Sequence, residues 1–252
     1  LDRIPGRYLF DLFLQNVFFG PPKLLIRVAG IIDPFGASQC PAESSPVLVA
    51  HGADDDVAVL AAKRSHGSII GVHGADRALQ DAGLRESPEL TAGRAGVAFG
   101  SSTGNVDALL DFFGMLHDND TQGISATTYI RSMPQTCAVN IGVFFGLSGR
   151  LITTNTACTA GSLSIGYAFE AIQNGLQDVM VAGGAEELSP TEAAVFDTLF
   201  AASTKNDTPE LTPAAYDRDR DGLVIGEGSG ALILEEYEHA RARGARILAE
   251  LV

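Results

Sequence analysis

The stretch from Leu151 to Gly175, LITTNTACTAGSLSIGYAFEAIQNG, constrains this chain more than any other. It opens on the β-branched and apolar run Leu151-Ile152-Thr153-Thr154 and turns through Asn155-Thr156-Ala157-Cys158. Small and apolar residues follow. Leu163, Gly166, Tyr167, Phe169, Ala171 and Ile172 recur at spacings that a helix turns towards one buried side. Asn174-Gly175 closes the segment as helices close. The pattern predicts a strand, a turn and a helix, with Cys158 where the helix begins. Free backbone N–H groups and the positive end of the helix dipole favour negative charge there. That suits a thiolate nucleophile and an oxyanion forming beside it. Ala157, Thr159, Ala160, Gly161 and Ser162 leave room for a substrate. On position alone a cysteine reads equally as a small buried apolar residue; the company it keeps favours the nucleophile.

The rest of the chain alternates strands and helices. Leu24–Ile32 reads as a buried strand closed by Asp33-Pro34-Phe35-Gly36. A helix is expected over about 57–63 and another over 75–83. Arg94–Gly100 reads as a buried strand opening onto Ser101-Ser102-Thr103-Gly104, a Gly/Ser turn that lacks the lysine of a phosphate-binding loop. Helices are expected over 106–116 and 133–145, the second with Pro134 in its first turn. Beyond the central stretch come a short buried strand, Asp178–Glu187, a helix over 191–200, and a polar loop over 203–221. Gly222–Glu235 reads as a strand pair broken by Gly226, Gly228 and Gly230. A helix over 236–243 and a strand from Arg246 follow. Such alternation implies a mainly parallel sheet covered on both faces. Residues 8–19 are dense enough in apolar residues for a short buried or interfacial helix, and Gly20-Pro21-Pro22 breaks the chain after it.

Composition narrows the function. The chain has 252 residues, long enough for a sizeable core. With 17 Lys and Arg against 31 Asp and Glu, the net charge is −14, which argues against nucleic acid or an anionic membrane surface as partner. Three cysteines, Cys40, Cys137 and Cys158, suit a reducing cytoplasm rather than a disulfide framework. No apolar run reaches the roughly 18 residues of a transmembrane helix. The first residues lack the pattern of a secretory signal, and the absence of an initial Met fits a piece of a longer chain.

At this point the residues carry a family signature. TTNTACTAGSLSIGYAFEAIQNGLQDVMVAGGAEE, followed by FDTLFAASTKNDTPE, YDRDRDGLVIGEGSGALILEE and HARARGA, resembles a β-ketoacyl-acyl carrier protein synthase. The chain is similar to condensing enzymes of fatty acid synthesis and to ketosynthases of polyketide and aryl polyene pathways. The resemblance runs from about Arg94 to Val252 and, less closely, back to Leu24, where GIIDPFGAS stands for the first strand and turn; residues 1–23 form an N-terminal extension outside it. It implies a thiolase-like α/β fold of which residues 24–252 are the N-terminal half, a mixed, mainly parallel sheet with helices on both faces. It implies that Cys158 takes the acyl group from a carrier-protein or CoA thioester, its backbone N–H serving the oxyanion hole. Condensation with a decarboxylating malonyl-carrier thioester follows. Phe196, in VFDTLF, matches a position lining the acyl pocket, and reads equally as an ordinary core phenylalanine on a helix. The expected partners are an acyl carrier protein, acyl and malonyl thioesters, and a second ketosynthase chain in a homodimer or heterodimer. No cofactor is implied.

The family's two histidines, lysine and Gly/Phe-rich loop belong to the half that this resemblance does not cover. None of His51, His66, His73, His117 and His239 can be assigned as one of those two histidines, and His239 is expected on a solvated helix face. Condensation is therefore expected to be incomplete in this chain, and a non-catalytic dimer partner is the alternative. A cysteine hydrolase needs a well-placed downstream histidine, for which His239 is poorly placed. Glu186-Glu187 is expected to be structural after its strand, with no metal. Asp217, Asp219 and Asp221 alternate like a calcium loop without its Gly and Glu offsets, and read as turn and salt-bridge residues.

Overall fold

The computed structural model describes residues 24–32 and 66–251. The expectations for residues 1–23, the turn at 33–36, the helix over 57–63 and Cys40 lie outside the described residues.

Six strands form one sheet in the order β3-β2-β4-β5-β1-β6. They are β1 (Leu24–Ile32), β2 (Ala95–Gly100), β3 (Leu151–Thr154), β4 (Val179–Glu186), β5 (Gly228–Glu236) and β6 (Ala249–Leu251). The expected helix-covered mixed sheet is found, but it is partly rather than mainly parallel: three of its five strand pairings are antiparallel. Its parallel part is β3-β2-β4. The pairings β4–β5, β5–β1 and β1–β6 are antiparallel, with a register shift in β1 between Ala29 and Ile31.

Helices cover both faces. α1 (His66–Ala82) and α4 (Thr136–Phe145) pack on one; α5 (Ala160–Gln173) packs on the other. Alternation along the strands divides the core. Val97, Phe99, Val179, Val181, Ala231 and Ile233 face α1 and α4. Ala98, Met180, Ala182 and Leu234 face α5, against Ala168, Phe169, Ala171 and Ile172. β2 is buried along all six residues because it has helices above and below and a strand on each side. Each large apolar side chain buried this way contributes about 1.5–3 kcal/mol.

Several boundaries differ from the sequence reading. α1 begins at His66, well before Ala75. A separate short helix, α3 (Ala126–Arg131), was not expected; Ser125 caps it and Thr128 completes a capping box. After it, α4 starts at Thr136, beyond Pro134. α2 (Val106–Asp118) fits expectation, with Asn105 accepting from the Ala108 N–H. The anticipated strand pair over 222–235 is a single strand, β5, from Gly228. The preceding segment does not join the sheet; it forms an isolated bridge between Leu223 and Ala202 and otherwise runs as loop. Tyr167 is exposed, contrary to expectation. The buried residues of α5 are Ala160, Ser164, Ala168, Phe169, Ala171 and Ile172. Ala160, Ser164 and Ala168 are small where the helix lies close to the sheet: a Cβ on Gly100 would come within 2.8 Å of the Ala160 Cβ.

Candidate functional site

Strand β3 and helix α5 form as the sequence predicts, and a short 3-10 turn, Ala157–Thr159, joins the pair. Thr154, at the end of β3, donates its hydroxyl to Ala160 O at 2.8 Å and lies 2.7 Å from the Ser164 hydroxyl. Ser164 also donates to Ala160 O at 3.0 Å. This buried knot ties the strand's end to the helix's first turn. Ala157 takes a left-handed φ of 50°, a conformation costing a non-glycine residue on the order of 1 kcal/mol. The bend leaves Cys158 exposed, beyond the carboxyl ends of the parallel strands.

The backbone donors at this turn are partly spent. Thr159 N–H donates to Thr156 O at 3.3 Å, and Ala160 N–H donates to Ala157 O. The Cys158 N–H has no backbone acceptor among the described residues. It remains the donor nearest the sulfur for an oxyanion developing there.

Cys158 lines an open cleft of about 700 Å³, a volume in the range of small-molecule sites. Gly100 to Thr103, at the end of β2, form one wall, and Gly184 to Glu186, at the end of β4, form the floor. Helix α6 (Pro190–Thr198) contributes Thr191, Glu192, Val195 and Phe196, one face at helical spacing. The loop before β5 closes the far side with Leu223, Val224 and Ile225. Cys158 and Phe196, singled out from the sequence, thus share one cleft, and Phe196 is half-buried there rather than a core residue.

Glu186 and Glu187 have the structural task expected of them. Glu186 accepts from Ser102 N–H at 2.6 Å, Thr103 N–H at 3.2 Å, and the Thr103 and Ser101 hydroxyls at 3.0 and 3.3 Å. Glu187, buried, accepts from Gly67 N–H and Val106 N–H, each at 3.1 Å, and from the Asn105 amide. One carboxylate thereby holds the cleft wall, and its neighbour satisfies the starts of α1 and α2 together. In the 203–221 loop, Asp221 accepts from Ser203 and from Thr204 N–H and lies 3.6 Å from Lys205 Nζ. Asp217 accepts from Asp219 N–H, so these acids act as turn residues.

His239 departs from expectation. Its side chain is 29% exposed, not solvated, and Nδ1 lies 2.7 Å from the buried carboxylate of Glu235, which Arg243 also grips at 2.6 Å. The helix bearing it, α7 (Tyr237–Ala242), turns Glu238 and Arg241 outward instead. None of the described histidines lines the cleft. The residues that sequence reasoning missed are Thr103 and Glu192. The signal for Glu192 was its i, i+4 spacing to Phe196.

Comparison with known proteins follows the same residues. The family model described as "Beta-ketoacyl synthase, N-terminal domain" matches residues 63–240. The 3-oxoacyl-[acyl-carrier-protein] synthase 2 of Vibrio cholerae is 41% identical over 183 residues, 72% of this chain and 44% of that protein. The mitochondrial 3-oxoacyl-[acyl-carrier-protein] synthase of Arabidopsis thaliana is 38% identical over 70% of this chain and 39% of its own length. A crystal structure of a β-ketoacyl synthase from Burkholderia phymatum superposes with a TM-score of 0.72 at 49% identity, covering 75% of this chain and 46% of that one. A type II PKS ketosynthase in complex with its acyl-carrier protein and bound to the hexaketide gives a TM-score of 0.64 at 31% identity, over 75% of this chain and 48% of that one. The chain spans under half the length of these relatives.

Proposed function

This chain belongs to the β-ketoacyl synthase family, and from that premise we propose that Cys158 is its acyl acceptor, in fatty acid or polyketide synthesis. The observation that carries this reading is the exposed thiol at the start of α5, inside a cleft with room for an acyl chain. In the first step the Cys158 sulfur attacks the carbonyl carbon of an acyl thioester. The oxyanion of the tetrahedral intermediate lies against the Cys158 N–H. Collapse breaks the original C–S bond, leaves the acyl group on Cys158, and releases the carrier thiol with the proton that the cysteine lost. Phe196 lines the space for the chain.

In the second step a malonyl-carrier thioester loses CO₂, its α-carbon bonds to the acyl carbonyl, and Cys158 leaves as thiolate. That step needs groups to stabilise the developing enolate, and no described histidine lines the cleft to do so. The chain as it stands is therefore proposed to accept the acyl group without completing condensation. An acyl carrier protein is the proposed donor, in keeping with the acyl-carrier complex of the PKS relative. β3 lies at the edge of the sheet. Its free side, with Leu151 and the outward Val139 and Val143 of α4, is proposed to pair with a second ketosynthase chain. Residues 24–252 are proposed to act as one domain, with residues 1–23 an extension.

The test is intact-mass spectrometry after incubation with an acyl-CoA, beside Cys158→Ala. One acyl adduct in the parent chain and none in the variant is the expected result. An adduct that survives the substitution, or no adduct in the parent, sinks the reading.

A further inference from the structure

The cleft wall opposite the strand ends is not uniformly apolar. α6 turns Val195 and Phe196 into it, but one turn earlier it places Glu192 there. Glu186 and Glu187, close by, are already committed to the backbone N–H groups of the β2 turn and of the α1 and α2 starts. Glu192 is not used in that way. Its carboxyl neighbours the Thr103 hydroxyl, and burial, followed by repulsion from Glu186 and Glu187, holds its proton more tightly than usual. The Thr103 hydroxyl has a single proton, which it gives to Glu186 at 3.0 Å. It also lies within hydrogen-bonding reach of Glu192, where it favours the charged form against the effect of burial, and the rest of the carboxyl keeps hydrogen-bonding capacity facing the cleft.

We propose that Glu192, with Thr103 beside it, selects the acyl group, favouring thioesters whose chain carries a hydroxyl over plain alkyl thioesters. The inference rests on the acyl-acceptor reading of Cys158. An alkyl chain laid along α6 covers Glu192 from water and gives it no partner, and a polar group stranded in this way disfavours the complex. A hydroxyl both donates and accepts, so it serves Glu192 whether or not the carboxyl is protonated. A carboxylate on the chain meets the like charge of Glu186 at the cleft wall and is rejected. Sites built to hydrogen-bond a substrate group discriminate against the analogue that lacks it.

The test uses the full chain and four N-acetylcysteamine thioesters: hexanoyl, 6-hydroxyhexanoyl, octanoyl and 8-hydroxyoctanoyl. The rate of adduct formation on Cys158 is read by intact mass. The hydroxylated member of at least one pair is expected to react about tenfold faster. Glu192→Ala is expected to level the pair, and Glu192→Gln, whose amide also donates and accepts, to keep the preference. Equal rates within both pairs, or a preference that survives Glu192→Ala, overturn the inference. Should no thioester label Cys158, the acyl-acceptor reading fails separately. Binding of the four corresponding amides to Cys158→Ala, with and without Glu192→Ala, then decides the inference by the same ratio.

Discussion

Two cysteines stand at the starts of two helices in this fold, and they are chemically opposite. Cys137 is the second residue of α4 and is 3% exposed. Its sulfur donates to Gly67 O at 3.7 Å, and its thiol is pushed up to about 12, first by burial and then by the charge of Glu186. Cys158 precedes α5 and is open to the cleft. Both have helix-start N–H groups nearby, so that feature does not separate them. What separates them is the covering. α1 lies across the start of α4 so tightly that a Cβ on Gly71 would come within 2.4 Å of the Cys137 sulfur. No described element covers the Cys158 thiol in that way. The bland reading of a cysteine as a small apolar core residue belongs to Cys137, and the reactive one is proposed for Cys158.

The largest expected consequence is in reactivity. In the folded chain at pH 8, iodoacetamide should alkylate Cys158 faster than Cys137 by on the order of a thousandfold, because a thiol at about 12 is almost wholly protonated and shielded. Peptide mapping reads the two rates, and comparable labelling before unfolding would break the contrast. Packing comes next. Gly71→Ala should cost about 2–3 kcal/mol of stability, since the new methyl meets the Cys137 sulfur and, at 3.5 Å, Phe99 and Ala185. Cys158→Ala should change stability by less than about 0.5 kcal/mol. Urea midpoints give both. Removing the sulfur with Cys137→Ala should recover part of the Gly71→Ala loss, a coupling that independent sites do not show.

The smallest effect concerns the acid that faces both sites' surroundings. Glu186 raises the thiol of Cys137 on one side and the carboxyl of Glu192 on the other. A raised carboxyl binds its proton better folded than unfolded. Its contribution to stability is therefore full below the unfolded value of 4.5 and is lost as pH rises to the folded one. Glu192→Gln should remove that loss. At neutral pH its melting temperature should exceed the parent's by about 1 °C, a small gain because the group is partly solvated and screened. The two should converge near pH 4; a gap that widens on acidification contradicts the assignment.

Much of this was legible in the sequence where local physics decided it. β-branched residues before Asn155 gave β3, the small and apolar run gave α5, and Cys158 falls between the two as expected. The reading failed where a distant segment made the choice. Gly222–Glu235 holds two apolar runs broken by glycines and reads as two strands, yet only the residues from Gly228 join the sheet, between β4 and β1. Leu223 to Ile225 are left to line the cleft instead. Tyr167 has a spacing that suits a buried face, but the sheet approaches α5 along Ala160, Ser164 and Ala168, where no large side chain fits. His239 sits in a charged run that reads as solvated, and the buried Glu235 at the end of β5 draws it inward.

The sequence by itself determined most of the elements and the family, because periodicity, turn residues and long motifs are properties of neighbours along the chain. Only the tertiary structure decided which thiol is sealed and which is open, which acids hold the backbone and which faces the cleft. Burial and charge are set by what packs from elsewhere in the chain: Gly71 over Cys137, Glu186 under Thr103, and α6 bringing Glu192 and Phe196 to the cleft of Cys158.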